Sequence, residues 1–250
     1  MNVNSTLSIF FCLIFVIESR DLPKYFPNCH RYDPKINECL VKATEQVKPF
    51  LAKGVPELSM PPLEPFIIPE VVLEQGTSAL NFKATLTNVT IHGITNYKFS
   101  RFEFDVPNMQ FFCDADLGEM IIKGNYTVNG KILIAPIVGS GTFVASIDNC
   151  NATVYQKVEV RKKKGVDYIF PVHTNSSIYV GGPKVNLNGL FDGNPELNNV
   201  TNKVISDNID ELFEDIRPVI DKVLTNILED FLLKAVEGQV PFDKLYPPIP

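Results

Sequence analysis

The sequence predicts an α+β fold in which a long C-terminal helix is wrapped by a highly curved antiparallel β-sheet. Three observations predict it. Apolar and polar residues alternate from about Phe66 to Leu190, apolar residues recur every three or four positions from Val200 onward, and both patterns run long.

The alternating region comes first. LNFKATLTNVTIHGI sets Leu80, Phe82, Ala84 and Leu86 on one side, and RFEFDV sets Phe102, Phe104 and Val106 opposite Arg101, Glu103 and Asp105. MIIKGNYTVNGKILIAPIVGSGTFVASI, VYQKVEV, VDYIFPV and KVNLNGLF continue the pattern, with Asn-Gly and Gly-Ser-Gly read as turns. One apolar and one polar face is the mark of antiparallel strands lying on a core. Several of these strands exceed about ten residues, where roughly five or six is usual. The expectation is one meander, coiled strongly enough to wrap something.

The helical region supplies that something. Between Thr201 and Glu237 an unbroken apolar stripe passes through Ile205, Leu212, Ile216, Ile220, Val223, Ile227 and Phe231. It covers close to half the helix surface, and the helix would extend roughly 55 Å. Pro218 predicts a bend, and Gly238 with Pro241 an end. So apolar a helix must be covered, and the sheet is the one partner large enough. The facing surfaces either pack into a dry core or leave an apolar tunnel suited to lipids or terpenoids. The pattern alone leaves both open.

A shorter amphipathic helix is expected from Asn37 to Lys53, capped by Asn37 and ended by Gly54, with Pro49 weakening its last turn. The proline-rich stretch GVPELSMPPLEPFIIPE then reads as an extended connector. At the front, the apolar run Leu7–Ile17 is too short for a bilayer span, which takes about 20 residues. It fits a secretory signal peptide over residues 1–19, leaving a single domain over 20–250. Secretion implies an oxidising compartment. CHRYDPKINEC lacks the ligands for a metal site, so Cys29 and Cys39 read as a disulfide. Its closure would stabilise by roughly 2–3 kcal/mol. Cys113 and Cys150 either pair or remain separate thiols. Sequons at Asn88, Asn125, Asn151, Asn175 and Asn199 are candidate glycosylation sites.

Net charge is -6, which disfavours nucleic acid or anionic membrane as a partner. The one basic run, Arg161 to Lys164 before Gly165, reads as a solvated hairpin tip. Catalytic machinery is not apparent. His30, His92 and His173 are the only histidines, and no Gly-x-Ser-x-Gly, His-Glu-x-x-His, Cys-x-x-Cys or phosphate-loop motif occurs. Neither an enzyme, a metal nor a cofactor is expected, and no motif points to a protein partner.

The segments CHRYDPKINECLVKA, KPFLAKGVPEL and PPLEPFIIP resemble the start of the insect takeout and haemolymph juvenile hormone-binding proteins. GNYTVNGKILIAPIVGSGTF resembles that family's central strand and turn, and LFDGNPELNNVTNKVISDNIDELFEDIRPVI with PFDKLYP its C-terminal signature. The resemblance implies a tubular lipid-binding fold of super-roll type, an internal tunnel, and a secreted carrier of small hydrophobic molecules without stable membrane insertion. The hormone-binding branch carries a second disulfide late in the chain. Here Cys113 and Cys150 lie in the middle, nearer the takeout pattern. Joined to the two periodicities, the resemblance implies a lining of Phe82, Phe102, Phe104 and Ile132 from strands and Leu212, Ile216, Ile220 and Val223 from the helix. The same fold would also serve a secreted signalling protein or a membrane-lipid-binding immune protein.

Overall fold

The computed structural model describes residues 21–76, 80–132, 135–236 and 240–248. The expected signal peptide lies outside the described residues, as do Glu237 and Gly238. In chain order the elements are α1 (Ile36–Lys53), β1 (Phe66–Gly76), β2 (Leu80–His92), β3 (Lys98–Asp105), β4 (Gln110–Asp116), β5 (Met120–Ile132), β6 (Ala135–Ile147), β7 (Asn149–Lys163), β8 (Val166–Gly181), β9 (Lys184–Leu190), α2 (Pro195–Asp207), α3 (Ile209–Val236) and the single turn α4 (Phe242–Leu245).

The fold is α+β with long, curved, antiparallel strands. It is not one meander. Five strands form a sheet in the order β1-β2-β5-β6-β9, and four form another in the order β3-β4-β7-β8. The hairpins β3–β4 and β7–β8 leave the first sheet and pair with each other through β4 and β7. A period of two fixes which face a residue takes, and it does not fix which strand lies alongside.

Two expected turns are strand interiors instead. Asn129-Gly130 lies within β5 and Gly139-Ser140-Gly141 within β6. A Cβ on Gly130 would come 2.4 Å from the Cα of Phe82, and one on Gly141 would come 1.8 Å from the Asn188 carbonyl oxygen. These glycines allow backbones to approach closely rather than turn. The basic run does end in a hairpin turn, with Lys164 and Gly165 at φ 52° and 83°.

The C-terminal helix is broken, and at Asn208 rather than Pro218. Ser206, Asp207 and Asn208 are weak helix formers that bond to nearby backbone. Asn208 does so, its Nδ2 donating to the Val204 carbonyl at 2.8 Å. The four-residue step from Ile205 to Ile209 carries the apolar stripe through the break, which is why periodicity misses it. Pro218 lies within α3. Likewise α1 runs through Pro49 to Lys53. Asn37 does not cap α1: its side-chain oxygen accepts from the Phe104 amide at 3.1 Å.

That contact belongs to a general arrangement. Two open sheets have four edges, each a row of unpaired backbone groups. Helix α1 packs on edge strand β3, α2 on β9, and α3 on both β8 and β1. Polar side chains complete the edges. Asn202 accepts from the Leu187 amide at 2.9 Å and donates to the Leu187 carbonyl at 2.7 Å. One helical turn earlier, Asn198 accepts from the Leu190 amide at 3.1 Å. On β8, the Ile178 amide donates to the Asp221 carboxylate at 2.9 Å. On β1, Gln75 donates to the Asp215 carbonyl.

One end of the molecule is densely packed. Cys29 and Cys39 are joined there, beside Phe104, Phe111, Val158, Ile169 and Phe242. Arg31 donates to Asp243 and to the Tyr246 carbonyl, both at 2.7 Å, tying the front of the chain to its end.

Replacing Asn202 with Ala removes the side-chain acceptor of the Leu187 amide, while the Leu187 carbonyl keeps the Asn198 Nδ2 donor at 3.0 Å. Urea unfolding should show a loss of about 1–3 kcal/mol. Lys203→Ala, on the exposed side of the same turn, should change stability by less than about 0.5 kcal/mol.

Candidate functional site

The inner face of the four-stranded sheet follows from strand alternation and register. On β7 the inward residues are Cys150, Ala152, Val154, Gln156 and Val158. They lie opposite Ala115, Cys113 and Phe111 of β4, and opposite Val180, Ile178, Ser176 and Thr174 of β8. Along β7 the two ends are closed, with Cys150 0% and Val158 5% exposed. Between them Ala152, Val154 and the neighbouring Cys113 are only half-buried. Small residues predominate at this centre, so little side-chain volume stands on the strands.

Helix α3 faces that sheet. Its Phe213, Ile220 and Leu224 pack toward Cys150, Ile178 and Val180. Leu212 is buried, while Ile216, Ile220, Val223 and Ile227 stay half-buried despite their apolar character. On the five-stranded sheet, Phe82, Leu86, Ile122 and Ile132 are half-buried around a packed set that includes Ala84, Val128, Ile137 and Phe143. Beside this region, Tyr179, Val180, Gly182, Asp210, Phe213 and Glu214 line a groove of about 430 Å³. Its wall reaches Val180 and Phe213 of the interior.

The structure therefore divides the residues expected to line a tunnel. Phe82 and Ile132 sit on the inner face of one sheet, and Leu212, Ile216, Ile220 and Val223 lie along α3. Phe102 and Phe104 stand on β3 opposite Cys113 and Phe111 of β4, on the side of the sheet nearer the packed end. The ring of Phe104 stacks on Phe111 at 4.1 Å and tilts against Tyr246 at 4.9 Å, and Phe102 packs on the same end cluster. Their strand β3 is packed against α1 rather than against the long helix. Cys113, Ala152 and Val154 stand at the half-buried centre, with Gln156, Thr174 and Ser176 beside it, none of them among the residues expected to line a tunnel. Their signal was present, since Gln156 falls in phase with Val154 and Val158, and Thr174 and Ser176 in phase with Ile178 and Val180.

Cys113 and Cys150 are free thiols. Strands β4 and β7 are neighbours, so no strand intervenes. Register keeps the thiols apart: Cys113 lies opposite Val154, four residues along β7 from Cys150. That is about 13 Å, well beyond the roughly 7 Å limit between Cα atoms of a disulfide. Burial pushes both thiols up to about 12, with Asp114 adding to the effect at Cys113 and Asp116 at Cys150. All five sequon asparagines are exposed. Among the described residues no cluster of His, Cys, Asp and Glu could hold a metal ion, and no helix is long and apolar enough to cross a membrane. His92 Nδ1 lies 3.2 Å from Glu64, whose other carboxylate oxygen accepts from the Gly93 amide at 2.9 Å and the Thr95 hydroxyl at 3.4 Å.

A sheet-and-helix wrap with facing apolar surfaces defines a class of hydrophobic-ligand carriers. The sequence profile of the haemolymph juvenile hormone binding proteins matches residues 7–247. The chain belongs to this takeout and juvenile hormone-binding protein family. It is 22% identical over 236 residues to the "Circadian clock-controlled protein daywake" of Drosophila melanogaster, covering 91% of this chain and 89% of that protein. It is 25% identical over 214 residues to a Schistocerca gregaria protein named "Putative beta-carotene-binding protein", covering 84% of each. The crystal structure of Takeout 1 from Epiphyas postvittana superposes with a TM-score of 0.73 at 21% identity, covering 88% of this chain and 99% of that one. That likeness establishes the fold.

Protein beginning at Arg20 should show no thiol reactive toward a thiolate-selective reagent at pH 8 when folded, because both thiols ionise only near 12. It should show two after denaturation in urea without reductant. Prompt reaction in the folded state, or none in urea, would contradict the assignment.

Proposed function

We propose that the protein is a secreted carrier that encloses a small, elongated, apolar molecule between α3 and the inner faces of the sheets. A lipid, fatty acid or terpenoid would fit this interior. The observation that carries the reading is the half-buried centre formed by Cys113, Ala152 and Val154, lying between closed ends and facing the half-buried apolar stripe of α3. Inward apolar residues that stay accessible inside a covered layer mark unfilled space. A ligand there would gain about 25 cal/mol for each Å² of carbon it removes from water. The groove lined by Tyr179, Gly182, Asp210 and Phe213 is the proposed entrance. Phe82 and Ile132, with Ile216, Ile220 and Val223, are the proposed lining, joined by Cys113, Ala152 and Val154; Phe102 borders Cys113, and Phe104 is assigned to the packed end.

Secretion is supported by the expected signal peptide, the Cys29–Cys39 disulfide and the haemolymph setting of the family. The exposed asparagines at 88, 125, 151, 175 and 199 are the proposed glycan positions. The family name and the name of the Schistocerca gregaria relative both describe binders of apolar molecules, which agrees with a carrier and not with an enzyme.

Native mass spectrometry with added fatty acids and terpenoids should detect a one-to-one complex. Val154→Trp should abolish that complex while leaving unfolding stability within about 1 kcal/mol, because the indole enters free space. In a filled core the same change would overpack and cost about 1–3 kcal/mol or more.

A further inference from the structure

Among the described residues, three buried polar side chains stand together on the inner face of the four-stranded sheet. Gln156, Thr174 and Ser176 are 5%, 6% and 5% exposed, and Thr225 of α3 meets Ser176. Thr174 Oγ1 donates to Gln156 Oε1 at 2.9 Å, and Gln156 Nε2 donates to the carbonyls of His173 and Lys157 at 3.1 and 3.2 Å. Ser176 Oγ lies 2.7 Å from Thr225 Oγ1 and 3.4 Å from the Asp221 carbonyl. By register Gln156 pairs with Thr174, and Val154 with Ser176. The polar row therefore borders the half-buried centre directly.

The chemistry of this row is lopsided. Both amide hydrogens of Gln156 are engaged, and so is the hydroxyl hydrogen of Thr174. Ser176 has one hydroxyl hydrogen; when it goes to the Asp221 carbonyl, the 2.7 Å contact requires Thr225 to donate to Ser176, and every side-chain donor in the row is committed. Acceptor capacity remains on Gln156 Oε1, on Thr174 Oγ1 and on Thr225 Oγ1. The Asp221 carboxylate, held by the Ile178 amide, belongs to the residue whose carbonyl Ser176 meets, and it adds a further acceptor. No cation takes part in these bonds. A ligand atom placed here must bring its own proton. A ketone, ester, ether or epoxide oxygen would meet acceptors only and lose its hydration without replacement. An ionised carboxylate would meet the same acceptors and the Asp221 charge.

We infer that Gln156, Thr174, Ser176 and Thr225 form an orienting subsite that selects a ligand ending in a hydroxyl group, a long-chain alcohol or hydroxylated terpenoid, over the matching ether, ester or carboxylate. The inference rests on the carrier reading and adds the ligand's chemical class and polarity. The alcohol binds with its hydroxyl at the row and its hydrocarbon along α3.

Competition binding with hexadecan-1-ol, its methyl ether and hexadecanoate at pH 8 tests this on the intact protein. The alcohol should bind at least about tenfold more tightly than the ether, the value of one satisfied hydrogen bond in a dry site. Thr174→Val and, separately, Ser176→Ala should shrink that preference while the ether's affinity holds. Equal binding of alcohol and ether by the unmodified protein, or a preference for ether or carboxylate, overturns the subsite and leaves the carrier intact. Binding of none of the three overturns the carrier reading itself. If a variant fails to fold, the alcohol-to-ether ratio of the unmodified protein still decides the question.

Discussion

Two open β-sheets leave four edges, and satisfying those edges is the constraint on which the rest of this structure depends. Unpaired strand backbone is costly when buried and invites aggregation when exposed. Here each edge receives a helix, and in each case a polar side chain reaches across: Asn37 to β3, Asn198 and Asn202 to β9, Asp221 to β8, and Gln75 from β1 to α3. Helices held at edges are not free to lie across the middle of a sheet face. The inner face of the four-stranded sheet is therefore closed at its ends and half-buried at its centre. Helix α3 touches an edge of each sheet, β8 and β1, so it acts as the seam that makes two sheets enclose one interior.

Much of this was legible from the chain. Period two over Phe66 to Leu190 and period 3.6 beyond Val200 identify the classes of element and the faces they bury. The hairpin at Lys164-Gly165 and the Cys29–Cys39 pair follow from local composition and compartment. What escaped depends on partners distant in sequence. Gly130 and Gly141 look like turn residues because the strand that crowds them, at Phe82 or Asn188, is far away along the chain. Phe102 and Phe104 show the right alternation, yet which helix covers their strand is a matter of topology. The break at Asn208 hides because Ile205 and Ile209 keep helical spacing across it. The four-residue offset between Cys113 and Cys150 is a register fact that no spacing encodes.

The interior combines two kinds of surface with different roles. In the proposed carrier, Ala152, Val154 and the α3 stripe would offer area without direction, and so affinity for a slender apolar molecule. Gln156, Thr174 and Ser176 offer direction at one point only. Keeping three polar side chains nearly sealed from water is costly unless each is bonded, and they are, mostly to one another and to backbone. Such a row could equally have been valine and alanine on the same strands. In the proposed carrier this row would concentrate selectivity in one place, while the packed end formed by Phe104, Phe111, Phe242 and the disulfide holds the frame.

The central claim is that the space between α3 and the four-stranded sheet is real, dry and unfilled by side chains. Crystals of the ligand-free protein pressurised with xenon test it most directly, since xenon enters empty apolar cavities and not packed cores. The account predicts ordered xenon between Val154 and Ile220. Absence of xenon there, with α3 side chains packed onto Ala152 and Val154, would contradict it.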